Sequence, residues 1–292
     1  MRLKLIHIIG SFLGYVFYYL LPFRRKHIVS SMRLAFKHEK TDKEIRAMAL
    51  KNYQHYGKLF CEYFAFNSKN TLQYVEFKNL EIGEAALKKG KGVLLLAAHL
   101  GNFELSLKSG LLLPYDFSMV VRPIKNKLAH FFINRFRTKY KLNLIAAKNT
   151  YYAILSLLRQ NKVVGFVLDQ HKGTRGINVD FFGRRAATNT ALAALALETG
   201  ATVIPIYNFR KRDGRFIIQL GEPLEMIQTG NREFDIFYNT QIFTKKIEEL
   251  VRRSPEQWFW MHKRWKGVDN KKQRIHPVIP FTPDAYKNFF LT

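Results

Sequence analysis

An unbroken apolar run at residues 93–98, bounded by Gly92 and ending on His99, constrains the fold more than any other stretch. Six apolar residues without polar alternation suit a strand covered on both faces, as in parallel sheets layered by helices. Gly101 and Asn102 follow, and then an apolar segment opening with Phe103 and Glu104. Glycine permits a tight reversal and asparagine caps a helix start, so the stretch is a predicted strand, turn and helix. His99 then stands at the strand's C-terminal end, with Glu104 in the first helical turn.

On one continuous helix, five residues would set these two side chains about 140° apart, whereas a strand–turn–helix corner lets both face one crevice. A carboxylate there would fix the imidazole tautomer and raise the basicity of its other nitrogen. This is the arrangement of a histidine that takes a proton from a hydroxyl. The same spacing also occurs in capped turns whose His and Glu only satisfy backbone groups. The rest of the chain has to decide between them.

Downstream, strands alternate with helices. Strands are expected at residues 117–121, 142–145, 163–168, 202–209 and 215–220, and helices at 127–140, 150–159, 188–198 and 234–253. Upstream, a helix at 41–67 opens with Thr41 and Glu44 in capping-box spacing, and a strand at 74–77 and a helix at 81–89 precede the central run. This alternation predicts an α/β fold with a mixed, largely parallel central sheet flanked by helices. His99, Arg122 and Asp169 each follow an expected strand, and open α/β sheets bind ligands outside the carboxyl ends of their strands.

Charge narrows the partners. Lys plus Arg number 48 against 22 Asp plus Glu, a formal net charge of +26 that favours polyanions: nucleic acid, anionic lipid or an acidic carrier protein. Nucleic acid is the less favoured of these, since there is no zinc-ligand spacing, RNP-like strand or lysine-rich tail. Cys61 is the single cysteine, so no internal disulfide forms, and it sits in a helical run as a packing residue. Residues 5–23 carry no formal charge and are flanked by Arg2 and Lys4 before and Arg24, Arg25 and Lys26 after. A helix of that length spans about 28 Å, just enough for a bilayer core. Its glycines, Pro22 and tyrosines fit a helix lying in the headgroup layer as well as a tilted span. The basic amphipathic segment at 24–37 continues that theme.

The H-x-G-N-x-E block after an apolar strand resembles the H-x4-D/E block of bacterial membrane acyltransferases, specifically the late acyltransferases of lipid A biosynthesis. Further blocks follow in the family's order: Arg122-Pro123 with Asn126 resembles R-P-x-x-N, and Arg137 occupies the place of an arginine implicated in activity. Asp169 matches an aspartate after a buried strand, and Phe181-Phe182-Gly183 with Ala186 and Thr188 resembles F-F-G-x-x-A-x-T. Val203-Ile204-Pro205 resembles V-x-P. The stretch from Pro255 through Trp258, Trp260 and His262 to Arg264 resembles the closing P-E-Q-W-x-W-x-H-x-R.

The resemblance implies a glycerolphosphate-acyltransferase-like domain at 24–292 behind a membrane-associated helix at 1–23. It implies His99 and Glu104 as catalytic residues, without metal or cofactor. Asn102, Arg122, Arg137, Asp169, Gly183, Thr188 and Arg264 become candidate substrate-binding residues, with Gly183 at a sharp turn and Thr188 capping the next helix. The acyl donor it implies is acyl carrier protein, and the acceptor a lipid A precursor or related anionic glycolipid. The setting is anionic lipid of a bacterial inner membrane, with the catalytic domain on its cytoplasmic face. A lysophospholipid or phosphatidylinositol-mannoside acceptor is the alternative within acyltransferases. No GxSxG elbow is present, so an acyl-enzyme intermediate is not expected.

Overall fold

A computed structural model describes residues 3–66, 72–103, 105, 116–121, 143–146 and 150–267. Three helices open the chain: α1 (Leu3–Tyr19), α2 (Arg25–Phe36) and α3 (Asp42–Ala65). The Thr41 hydroxyl accepts from the Glu44 amide while the Glu44 carboxylate accepts from the Thr41 amide, so the expected capping box forms at the start of α3. Next come β1 (Val75–Lys78), α4 (Leu80–Leu87) and β2 (Val93–Ala97), followed by β3 (Phe117–Val121) and β4 (Asn143–Ala146). The remainder runs α5 (Thr150–Arg159), β5 (Val163–Val167), β6 (Ile177–Asp180), β7 (Arg185–Thr188), α6 (Ala191–Thr199), β8 (Thr202–Arg210), β9 (Phe216–Leu220) and α7 (Arg232–Arg253).

The described strands form a seven-stranded sheet in the order β1-β9-β8-β2-β5-β3-β4. Every neighbouring pair is parallel except β8 with β9. β2 lies between β8 and β5 and is buried along its whole length, as a continuous apolar strand requires. One core lies on the face that carries α2, α3, α5, α6 and α7, and a smaller one gathers Val93, Leu95, Ile204 and Leu220 with Ala86 of α4. The expected mixed, largely parallel architecture is therefore present.

Two expectations change. Residues 185–188 pair antiparallel with 177–180 as a hairpin, so Thr188 ends a strand and caps nothing. The helix begins at Ala191, behind Thr190, and stops at Gly200 with φ +69°, the left-handed C-terminal stop that glycine favours. The local cause is Gly183, also at φ +69°, which reverses the chain between the two short strands.

The second change concerns α1. No helix among the described residues is long and apolar enough to cross a membrane. α1 instead lies along α3, burying Ile6, Gly10, Gly14 and Tyr18 at four-residue intervals. Contact is backbone to backbone: a methyl group at Gly57 of α3 would overlap the Gly10 carbonyl, and one at Gly10 would sit 2.5 Å from the Lys58 Cα. The other face leaves Ile8, Phe12, Tyr15 and Tyr19 exposed, and Phe60 and Phe64 of α3 are exposed as well.

This close approach yields a prediction. Gly57→Ala forces the two helices apart and should cost about 1–3 kcal/mol. Thermal melting, with limited proteolysis of the first 23 residues, should show a lower midpoint and earlier cleavage than a Lys51→Ala control at an exposed position of α3.

Candidate functional site

β2 and β5 are parallel neighbours with Ala97 opposite Val167. Two residues on, the chains end at His99 and Asp169, side by side at the carboxyl edge of the sheet. The Leu168 amide still donates to the Ala97 carbonyl at 3.2 Å, so the ladder extends to the edge of the site. Asp169 grips His99 twice. One carboxylate oxygen lies 2.8 Å from the imidazole Nδ1, and the other accepts the His99 backbone amide at 2.8 Å.

That second oxygen also accepts the Trp258 indole N–H at 2.7 Å. Asp169 and Trp258 are both buried, while the His99 side chain keeps 22% of its surface open. A ring nitrogen facing a carboxylate acts as a donor, so Nδ1 carries the proton and Nε2 is the acceptor of the neutral ring. The Gln170 amide nitrogen stands 3.3 Å from Nε2. Phe103 packs edge-on to the imidazole at 5.2 Å between centroids, and Phe259 lies tilted at 6.0 Å.

Burial alone would raise the Asp169 pKa. The charge of His99, its two hydrogen bonds and the indole donor outweigh that and hold it at about 2. The carboxylate is therefore ionised throughout the physiological range. His262 lies on the same segment as Trp258. Burial first, then the Arg264 charge and neighbouring histidines, lower its pKa to about 4 against the pull of Asp169. Its Nε2 accepts the His171 backbone amide at 2.8 Å, so it is a neutral bracing residue.

The closing segment is docked by its backbone. Trp258 bridges Leu100 antiparallel, the Phe259 amide donates to the His99 carbonyl at 3.0 Å, and the Gly101 amide donates to the Gln257 carbonyl at 3.1 Å. Asn52 of α3 donates from its side chain to the Glu256 and Trp258 carbonyls at 2.8 and 2.9 Å. Gly101 sits at φ +61°, and a Cβ there would run into the Asn208 backbone, so the reversal expected at this glycine is both present and required.

The expected residues divide into three groups. His99 and Asp169 meet, with the Asp169 carboxylate on the imidazole Nδ1, a contact expected only as one of several strand-end residues sharing a crevice. Glu104, Arg122 and Arg137 lie outside the described residues. Asn102 is buried: its side-chain oxygen accepts the Leu105 amide at 3.0 Å, the expected cap, and its nitrogen donates to Glu62 at 3.0 Å. Arg264 and Thr188 are buried against each other, with the guanidinium donating to the Thr188 hydroxyl at 2.5 Å and to the Ala187 carbonyl at 2.8 Å. They brace β7 against the closing segment. Gly183 is exposed at the hairpin turn. Among the described residues no group of His, Cys, Asp and Glu side chains could hold a metal ion.

Sequence reasoning missed Glu62, Arg210 and Gln257. The signal for Glu62 was a lone carboxylate inside the aromatic run Phe60-Cys61-Glu62-Tyr63-Phe64, a position where solvation is poor. The indole bond to Asp169 had no signal, because Trp258 reads as an ordinary core aromatic.

The family model described as bacterial lipid A biosynthesis acyltransferase matches residues 2–267. The lipid A biosynthesis lauroyltransferase of Escherichia coli K12 is 25% identical over 272 residues, covering 89% of this chain and 85% of that protein. The palmitoleoyltransferase of the same organism is 25% identical over 198 residues, 66% of this chain and 62% of its own. A phosphatidylinositol mannoside acyltransferase of Mycobacterium tuberculosis (CDC 1551 / Oshkosh) is 23% identical over 232 residues, 75% of this chain and 70% of its own.

The depressed Asp169 pKa fixes a pH window. Unfolded, the group titrates near 3.8; folded, near 2. Its stabilising contribution is complete above about pH 4 and fades as pH falls through 2. Urea midpoints between pH 2 and 5 should show a shallower slope for Asp169→Asn than for the parent. Equal slopes would mean that the carboxylate is not held as described.

Proposed function

We propose a function from one premise: the chain belongs to the bacterial lipid A biosynthesis acyltransferase family. It transfers a fatty acyl chain from a thioester to a hydroxyl of a lipid acceptor, with His99 as general base. The observation that carries this is a half-open imidazole whose Nδ1 is bound by a buried carboxylate, which leaves Nε2 to accept a proton.

In the proposed step the acceptor hydroxyl gives its proton to Nε2 while its oxygen attacks the thioester carbonyl. Asp169 holds the tautomer and stabilises the imidazolium that forms. Collapse of the tetrahedral intermediate breaks the C–S bond, and the departing sulfur takes the proton back from Nε2. The products are an ester and a free thiol. Glu104, the acidic member of the H-x4-E block, enters as a second electrostatic support for the same imidazole. Arg122 and Arg137 are assigned to anionic groups of the substrates, since a guanidinium offers rigid paired donors to phosphate.

For the donor we assign acyl carrier protein, an acidic partner suited to a chain of net charge +26. For the acceptor we assign a lipid A precursor, by way of the lauroyl- and palmitoleoyltransferase relatives. The mannoside acyltransferase relatives support a second acceptor, another anionic glycolipid. Attachment to the bilayer is assigned to the exposed apolar face of α1 with Phe60 and Phe64, beside Arg24, Arg25 and Lys26. This is an interfacial helix on the cytoplasmic leaflet of the inner membrane.

Purified protein should be given acyl carrier protein thioesters of graded chain length with both acceptors, and the products read by mass spectrometry. His99→Ala should abolish transfer, and Asp169→Asn should lower kcat by about 10²–10⁴-fold. Glu104→Ala should lower it less than Asp169→Asn does. Turnover that survives in His99→Ala would overturn the reading. Separately, Phe12→Asp with Phe64→Asp should release the protein from vesicles of phosphatidylglycerol and phosphatidylethanolamine in flotation, while soluble-substrate turnover persists.

A further inference from the structure

Behind the catalytic turn lies a second buried carboxylate. Glu62 of α3 is fully buried, and three groups from distant parts of the chain converge on it. Arg210, at the end of β8, donates to both of its oxygens. The His7 imidazole of α1 lies 2.5 Å from one oxygen, and the Asn102 amide nitrogen 3.0 Å from the other. The backbone of Arg210 is fastened as well, exchanging hydrogen bonds of 2.8 and 3.1 Å with the Gln257 side chain.

A buried ion pair is a poor way to gain stability, because desolvation offsets most of the attraction and apolar replacements often do as well. The pair is better explained by the constraint it places on Asn102. A carboxylate only accepts, so the Asn102 side chain can turn only its nitrogen toward Glu62. Its oxygen is thereby directed at the Leu105 amide, 3.0 Å away, which is the cap that closes the turn after His99. With a carboxamide in place of Glu62, either orientation of Asn102 finds a partner and the cap is no longer enforced.

We propose that Glu62 is a positioning residue for the transfer: its carboxylate, held by Arg210 and His7, orients Asn102 and so fixes the turn that presents His99. This rests on the acyl-transfer reading of the same site. It also gives the N-terminal helix a link to the catalytic turn, through His7.

The test compares Glu62→Gln, Asn102→Ala and their double variant with a control, Glu248→Gln, which removes an equally buried carboxylate on α7 that bonds the Phe182 amide and Arg252. Glu62→Gln and Asn102→Ala should each lower kcat about 10- to 100-fold, with KM changed less than about threefold. The double variant should be no worse than either alone, as expected for residues acting as a unit. Titration of the His99 ring by NMR in ¹⁵N-histidine-labelled protein should shift in both single variants and stay at the parent value in Glu248→Gln.

Parental kcat in Glu62→Gln, additive losses in the double variant, or a His99 titration unmoved in both variants would each overturn the proposal. If Glu62→Gln does not fold, Asn102→Ala alone decides by the same two readouts. If the parent transfers no acyl group to any acceptor, the acyl-transfer reading fails, while the ring titration still decides whether Glu62 positions His99.

Discussion

The contact on which the rest depends is the one between Asp169 and His99 across the ends of β2 and β5. A carboxylate removed from water is costly unless each lone pair finds a donor, and the uncompensated cost is several kcal/mol. Here the donors are the imidazole Nδ1, the His99 amide and the Trp258 indole. Hydrogen bonds to a charged group each contribute about 1.5–3 kcal/mol, so no one of them suffices and the loss of any is felt. The three come from a strand end, a side chain and the closing segment. The carboxylate can therefore be buried only if β2 and β5 are in register and residues 254–264 are docked.

Glu62 plays the matching part on the other side of the turn. Between the two carboxylates, the chain from His99 to Gly101 is pinned at most of its polar backbone groups. The Phe259 and Gln257 contacts hold one edge, and His55 lies 3.3 Å from the Gly101 carbonyl on the other. In the proposed function, a base held this way would need little reorganisation when a proton arrives, which is where much of the benefit of a preformed polar site resides. The same pinning explains why Gly101 is required, since the Asn208 backbone occupies the space a side chain would need.

How much of this the sequence disclosed follows from the range of each interaction. Local signals were sufficient for the buried strand at β2, the capping box of α3, the Gly200 stop and the span of α5, because each is set by residues within a turn or two. The order of the blocks sufficed for the family. The bond from His99 to Asp169 was not foreseen because spacing along the chain favours near neighbours, and Asp169 is seventy residues away. That pairing depends on two strands lying side by side, a fact the alternation of elements implies only in general form. The hairpin at 177–188 was hidden for a related reason: its strands are four residues each, too short for the alternation of the first to stand out, and the second carries none. The apolar stretch at 5–23 has the length of a membrane span. Its glycines instead let the backbone seat on α3, an interaction that hydropathy does not register.

One consequence joins the two halves of the structure. α3 turns Glu62 inward to the turn after His99, while Phe60 and Phe64, two residues to either side, are exposed. A helix with its side chains is about 10–12 Å across. The surface assigned to the bilayer and the turn that carries the base are thus separated by the thickness of a single helix. On this geometry a lipid acceptor lying in the headgroup layer needs only to raise its hydroxyl past that helix, with its acyl chains left in the membrane. The cost of extracting a lipid, about 0.8 kcal/mol for each methylene exposed, is then avoided. Under the proposed attachment, the exposed residues of α1 and α3 and the buried ion pair at Glu62 would serve one purpose, reaching a substrate that stays in the bilayer.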